Sequence, residues 1–262
     1  MLIASWNING VKARLDALTA WLTERRPDIA CLQEIKSVDE GFPRKAIEDL
    51  GYHVETHGQK GFNGVALLSL KAPEEGSVLR GLPSDESDEQ SRYIEALWQT
   101  EAGPLRVASI YLPNGNPLGT EKFDYKLAWM ARLEKHAAGL LEREERLILA
   151  GDYNVIPEPT DAAKPDIWVN DALFQPESRG ALRRLIHLGL VDALREVDES
   201  EAVYTFWDYQ AGAWQKNNGI RIDHLLLSPE ARIALRSVGI DKHVRGWEKP
   251  SDHVPIIAEF AE

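Results

Sequence analysis

Eight short apolar runs set the terms on which this chain can fold: 2–6 (LIASW), 28–33 (DIACLQ), 64–70 (GVALLSL), 93–99 (YIEALWQ), 105–112 (LRVASIYL), 146–151 (RLILAG), 221–227 (RIDHLLL) and 255–260 (PIIAEF). Each has the length of a buried strand, and the stretches between several of them carry helical periodicity. Val11, Leu15, Leu18 and Leu22 recur at that spacing over 11–25. Phe123, Leu127, Met130, Leu133, Ala137 and Leu140 do the same over 121–143. Ser178 is placed to cap a helix over 179–189 carrying Leu182, Leu185 and Ile186, and Ser228-Pro229 reads as a cap followed by proline at the first helical position. Strands alternating with helices predict an α/β fold.

A faint internal repeat sharpens that reading. Residues 2–34 and 105–154 each run strand, asparagine-bearing loop, helix, strand, then carboxylate. Two such halves predict two packed sheets with helices outside them; a single doubly wound sheet is the alternative. Either arrangement puts the polar residues at strand ends, where α/β folds bind ligands. No low-complexity linker divides the chain, so one domain over 1–262 is expected. The lone cysteine, Cys31, lies in an apolar run, which excludes an internal disulfide and reads as a small buried hydrophobe. The N-terminus carries no basic region or cleavage site, and no run approaches the roughly 18 apolar residues of a membrane span. A soluble cytoplasmic protein is expected. Net charge is −12, which by itself disfavours a nucleic-acid partner. Much of the excess is local, in 84–89 (SDESDE), 142–146 (EREER) and 196–201 (EVDESE), and bounds solubility rather than site chemistry.

Polar residues gather where the strands end: Asn7 and Asn9 after the first, Glu34 after the second, then Tyr111 and Asn114, Asp152 and Asn154, Asp223, and finally Asp252 beside His253. Singly each has an ordinary account, since asparagine at a strand end is turn chemistry and a buried carboxylate can be structural. Together they strain it, because a buried carboxylate without a partner costs several kcal/mol. Glu34 with Asp152, Asp223 or Asp252, and with side-chain amides, makes a hard-oxygen site suited to Mg²⁺ or Mn²⁺. Zinc is disfavoured by the absence of paired Cys or His ligands. One histidine beside carboxylates suits an oriented imidazole that stabilises charge on a phosphoryl oxygen. The chain has no Walker loop, GxSxG elbow or GxGxxG. These features point to phosphoester hydrolysis by an activated water.

The ordered set SWNING, LQEIK, GQKGFNGVALLS, YLPNG, GDYNV, NNGIRIDHLLLS and KPSDH spans nearly the whole chain and resembles the exonuclease III family of abasic-site endonucleases, within the endonuclease–exonuclease–phosphatase superfamily. The resemblance implies a four-layer α/β sandwich of two packed mixed sheets flanked by helices. It implies a Mg²⁺-dependent enzyme, with Mn²⁺ as substitute, that nicks DNA 5′ to abasic sites and has 3′→5′ exonuclease and 3′-phosphatase or phosphodiesterase activity. The implied partner is double-stranded DNA with abasic sites or blocked 3′ ends, with no membrane, and the implied state is a monomer. Carried over by position, Glu34 resembles the principal metal ligand, Asn7 the amide that arranges the metal, and Asp252 a second metal-side carboxylate. Tyr111 and Asn114 resemble phosphate contacts, and Asn9 a substrate-side amide. Asp152 resembles the residue that orients or deprotonates water, Asn154 its companion, and Asp223 the partner of His253. Whether the base is Asp152 or the His253–Asp223 pair, and whether one metal acts or two, stays open. Phe206, Ile220 and Ile222 are the implied apolar walls around a base-less sugar, although core packing would also account for them. Ile220 departs from the tryptophan or leucine of some relatives. Trp6, Trp207, Trp214 and Trp247 invite base stacking, but core packing suits most of them better. Two alternatives share the motifs: a superfamily phosphatase acting on a non-DNA phosphoester, and a non-catalytic RNA-regulation partner on the same fold.

Overall fold

The computed structural model describes residues 1–261, and the expected single domain therefore reaches one residue, Glu262, outside the described ones. In chain order the strands are β1 (Leu2–Asn7), β2 (Ile29–Gln33), β3 (His53–His57), β4 (Val65–Ser69), β5 (Leu79–Arg80), β6 (Tyr93–Thr100), β7 (Gly103–Tyr111), β8 (Arg146–Asp152), β9 (Val191–Asp192), β10 (Asp223–Leu227), β11 (Leu235–Ile240) and β12 (Ile256–Phe260). The helices are α1 (Leu15–Arg25), α2 (Arg44–Glu48), α3 (Glu121–Leu141), α4 (Pro176–Ile186), α5 (Ala193–Val197) and α6 (Pro229–Ala234). Two six-stranded sheets result, ordered β11-β12-β1-β2-β4-β3 and β5-β6-β7-β8-β10-β9. The single doubly wound sheet is therefore excluded. Each sheet is mixed: β1–β2 and β7–β8 pair in parallel, and the remaining pairs are antiparallel. The two parallel units are the halves of the internal repeat, each crossing over through its own helix, α1 or α3.

Strand side chains alternate between faces, and that alternation builds the layers. Ile3, Cys31, Val65 and Leu67 of the first sheet meet Ile94, Val107, Ile148, Ala150 and Leu225 of the second in one buried cluster. Ala4, Trp6, Leu32 and Leu68 turn the other way, onto Leu18, Trp21 and Leu22 of α1. Ala108, Ile110, Leu147 and Leu149 turn outward onto Trp129, Met130 and Leu133 of α3 and Leu182 and Leu185 of α4. The order is helix, sheet, sheet, helix. Cys31 is fully buried between the sheets, where burial pushes its thiol pKa far up and leaves it unreactive.

The helices differ from expectation in detail. Helix α1 starts at Leu15, later than the expected 11. Helix α4 starts at Pro176 after Gln175, which makes no side-chain cap bond. Ser178 is not its cap: it is buried inside the first turn and donates to the Ala172 carbonyl at 2.7 Å. Ser228 does cap α6, accepting from Ala231 N–H. In α3 the buried stripe is Lys126, Trp129, Met130, Leu133, Ala137 and Leu140, so a lysine holds a core position while Phe123 and Leu127 sit half-exposed. No helix among the described residues is long and apolar enough to cross a membrane.

Candidate active site

The same alternation carries the site. Asn7 shares its face with Ile3, Tyr111 with Val107, Asp152 with Ala150 and Asp223 with Leu225, and that face is the one between the sheets. Register then sets their level: Tyr111 pairs with Asp152 across β7–β8, and Asp223 lies opposite Asp152 across β10–β8. All four stand where the strands end and the sheets part. Close backbone packing fixes the level, since a Cβ added at Gly151 would lie 2.0 Å from the Ile110 carbonyl oxygen.

The Asn7 amide joins the two sheets. Its Nδ2 donates to Glu34 Oε1 at 3.0 Å and to Asp152 Oδ2 at 2.9 Å. Its Oδ1 accepts from Asn9 N–H at 3.0 Å. Glu34 follows β2 in the left-handed backbone region, φ +49°, a conformation uncommon for a non-glycine residue. Its other oxygen pairs with Lys36 Nζ at 3.0 Å, and Lys36 also donates to Asn9 Oδ1 at 2.6 Å. Burial works to raise the Glu34 pKa, but the Asn7 hydrogen bond and Lys36 outweigh it and hold the pKa below the usual range.

Asp152 is driven the other way. Burial is the main cause, and the nearby Asp223 charge adds to it against the pull of His253, so its pKa is pushed up to about 7. Asn154 N–H donates to Asp152 Oδ1 at 2.9 Å. His253 Nδ1 bonds Asp223 Oδ2 at 2.8 Å, and its Nε2 lies 3.6 Å from Asp152 Oδ2. Burial disfavours the imidazolium, yet Asp223 and Asp152 together raise its pKa to about 10. The other Asp223 oxygen, Oδ1, is buried without a hydrogen-bond partner.

The turn before β12 explains how neighbours in sequence can serve one site. Ser251 Oγ donates to the Asn7 carbonyl at 2.7 Å, Trp6 Nε1 to the His253 carbonyl at 3.1 Å, and Trp207 N–H to the Asp252 carbonyl at 2.9 Å. Held this way, His253 points to Asp223, and the half-buried Asp252 accepts from Asn9 Nδ2 at 3.1 Å. Thr205 Oγ1 accepts from the N–H groups of Ile222 and Asp223, both at 3.2 Å, which fixes the strand start.

Tyr111 sits beside Glu34 and Asp152. Burial and these two carboxylates raise its phenol pKa well above the usual range. The Arg92 guanidinium stacks 4.9 Å from its ring centroid. The exposed Asn114 donates from Nδ2 to Asn154 Oδ1 at 3.3 Å. The Phe206 ring stands 5.0 Å from the His253 ring, edge to face, while Trp207, next in sequence, turns fully into the core. Ile220 and Ile222 are buried in a small apolar cluster with Ile156, Ala162 and Leu173, against which Phe206, Trp168 and Phe174 pack half-buried. Eleven of the thirteen residues singled out in the sequence are thus joined by hydrogen bonds, ring contacts or charge around Asp152 and His253, whereas Ile220 and Ile222 lie buried in the adjoining apolar cluster, as core packing would have them. Trp6 is buried, and Trp214 and Trp247 pack against the core, which leaves core packing as their role.

Asp152, Asp223 and His253 offer ligand atoms within 4.8 Å of one another, a group that could hold a metal ion. Within that group His253 Nδ1 is already engaged by Asp223 Oδ2 at 2.8 Å, and with no cation beside it the two carboxylates raise the imidazole pKa to about 10. Glu34 and Asp252 are carboxylates, the hard oxygen donors that suit a divalent cation, and the Glu34 pKa is held below the usual range, while the Asn7 amide turns its nitrogen toward Glu34 and orients it. Lys36, Arg92, Thr205 and Ser251 were not assigned roles from sequence. Lys36 and Ser251 lay within quoted motifs, LQEIK and KPSDH, so their contacts were within reach; Arg92 and Thr205 gave no signal.

Residues 4–253 match the Endonuclease/Exonuclease/phosphatase family. The chain is 38% identical to Exodeoxyribonuclease III of Haemophilus influenzae over 99% of this chain and 100% of that protein. It is 32% identical to DNA repair nuclease APEX1 of Danio rerio over 98% of this chain and 81% of that one. Among solved structures it resembles the 3′ phosphatase NExo from Neisseria bound to product DNA hairpin, with TM-score 0.94 and 37% identity over the whole of both chains. An AP endonuclease from Archaeoglobus fulgidus gives TM-score 0.93 at 37% identity, again over the whole of both chains.

Proposed function

The chain belongs to the exonuclease III family of abasic-site endonucleases, within the endonuclease/exonuclease/phosphatase superfamily, and from that premise we propose that it is a metal-dependent DNA phosphodiester hydrolase of base excision repair. It nicks the backbone 5′ to abasic sites and also removes 3′ nucleotides and 3′ phosphates. It works as one domain on duplex DNA with an abasic site or a blocked 3′ end.

The observation that carries this reading is the Asn7 amide shared by Glu34 and Asp152, two carboxylates whose pKa values move in opposite directions. Paired groups pushed apart in this way mark separate roles. Glu34, with Asn7 and Asp252, would hold Mg²⁺ or Mn²⁺. When bound, that cation supplies positive charge that stabilises the phosphoryl oxygens. Asp152, with a pKa near neutrality, is the group suited to orient water and take its proton. His253 stays protonated at neutral pH, so it serves as a donor to a phosphoryl oxygen rather than as the base, and Asp223 holds its orientation. Asn154, Asn114, Asn9 and Tyr111 bind the phosphate and its surroundings. Phe206, Ile220 and Ile222 wall the space for a sugar without its base, and extrusion costs least where no base must be unstacked.

The test is a duplex with one abasic site and a second duplex with a 3′ phosphate, each incubated with Mg²⁺ or with chelator. Cleavage of both in Mg²⁺ and of neither in chelator is expected. Full activity in chelator would refute the metal role, and turnover of inositol phosphates with no DNA cleavage would move the chain to another branch.

A further inference from the structure

Two lysines stand at the site and are used differently. Lys36, just past the first half of the repeat, is exposed and bridges Glu34 to the Asn9 side chain. Lys126, within the second half, is on the core face of α3 and fully buried. Its Nζ donates to the main-chain carbonyls of Asn114 at 3.1 Å and Asn154 at 2.5 Å. No carboxylate among the described residues lies within ion-pair distance of it. A buried ammonium is expensive, and burial pushes its pKa down to about 7. The local sequence makes room for it: a Cβ at Gly115 would meet Lys126 Cδ at 2.6 Å, and Gly115 has φ +88°.

We infer that Lys126 is a positioning residue that ties the Asn114 loop to the Asn154 loop and so fixes the phosphate-side half of the site. Asn154 has φ +47°, in the left-handed region that asparagine enters more readily than most residues, and its backbone groups are held on both sides. Lys126 grips its carbonyl, its N–H grips Asp152 Oδ1, and its side chain links Asn114 Nδ2 to the Leu112 carbonyl. Loss of the clamp therefore reaches Asp152 through one residue. The function needs donors more than charge, because a neutral amine still carries two N–H groups for the two carbonyls.

This inference rests on the proposed phosphodiester hydrolysis, and the experiment separates the two. Single-turnover and steady-state cleavage of an abasic duplex in Mg²⁺ would be measured for wild type, Lys126→Met and Lys126→Gln, with melting curves for each. Methionine keeps the stem volume and loses the donors; glutamine restores two donors on a slightly shorter arm. We expect kcat to fall about 10–100-fold in Lys126→Met with KM nearly unchanged, as for a small misplacement of reacting groups. Lys126→Gln should regain several-fold of that loss. Wild type that cleaves while Lys126→Met keeps full kcat would overturn the inference alone. Equal losses in both variants, or unfolding of both at assay temperature, would reduce Lys126 to a packing role. Wild type that fails to cleave would remove both the inference and the function it rests on.

Discussion

The two sheets deliver one carboxylate each to the same amide, and the contrast between them organises the site. Glu34, from the first sheet, keeps 19% of its side chain exposed and faces the Lys36 ammonium at 3.0 Å. Asp152, from the second, keeps 2%, with Asp223 opposite it across the ladder. Both accept from Asn7, so the hydrogen bond cannot be what separates them. At Glu34 burial is outweighed by the Asn7 hydrogen bond together with the Lys36 cation, whereas at Asp152 burial and the Asp223 charge prevail over His253 and push the pKa up to about 7. The lesson is that two carboxylates sharing one amide can be set to a binding role and a proton-transfer role by what stands behind each.

That division puts the largest expected loss on the buried side. His253→Ala should lower the rate on the order of 10²–10⁴-fold. Adding Asp223→Ala should cost far less than the product of the two single losses, because Asp223 acts through the imidazole it holds. Strictly multiplicative losses in single-turnover cleavage would dissolve the pair.

A pH profile sharpens the same contrast. The Asp152 carboxylate must be ionised to accept a proton, so kcat/KM should rise as pH climbs through about 7. His253 must stay protonated to donate, so activity should fall as pH climbs through about 10. Asp223→Asn removes the carboxylate that sustains the imidazolium against burial, and the alkaline limb should move down by about 1–3 pH units. An alkaline limb that does not move would assign it to another group.

The smallest expected effect falls on the apolar edge of the site. Phe206→Ala or Ile220→Ala should narrow the kcat/KM ratio of abasic over intact duplex by roughly 10-fold, the scale of a small apolar pocket change. Their Mg²⁺ dependence should stay as in wild type, because neither side chain is among the oxygen donors assigned to the cation. An unchanged ratio in both folded variants would return these residues to the core.

The sequence was most legible where a strand is central. The eight apolar runs became the eight inner strands, since a strand with neighbours on both sides and layers on both faces must be apolar throughout. The four strands it did not suggest, β3, β5, β9 and β11, are the four sheet edges. HVETH and LRSVGI leave much of their surface to solvent and carry no apolar run. Helix α3 was placed and its core positions from Met130 to Leu140 hold, but Lys126 and Trp129 replace Phe123 and Leu127 in its N-terminal half, because lysine is read as a surface residue and Lys126 is not one. Ser178 misled because a serine two residues after a proline suits a helix start equally well. Around the site, alternation brings Asn7, Asp152 and Asp223 to one face and could be counted from sequence. The ties through Thr205 and Trp6 join segments far apart in the chain and have no local signature.

The division of labour between the two carboxylates is tested most directly by a Mg²⁺ titration of single-turnover abasic cleavage in Glu34→Gln and Asp152→Asn, with wild type alongside. Glu34→Gln should move the half-saturating Mg²⁺ concentration upward, while Asp152→Asn should lower the plateau and leave the midpoint near the wild-type value. The reverse pattern, a shifted midpoint in Asp152→Asn and an unshifted one in Glu34→Gln, would contradict the account.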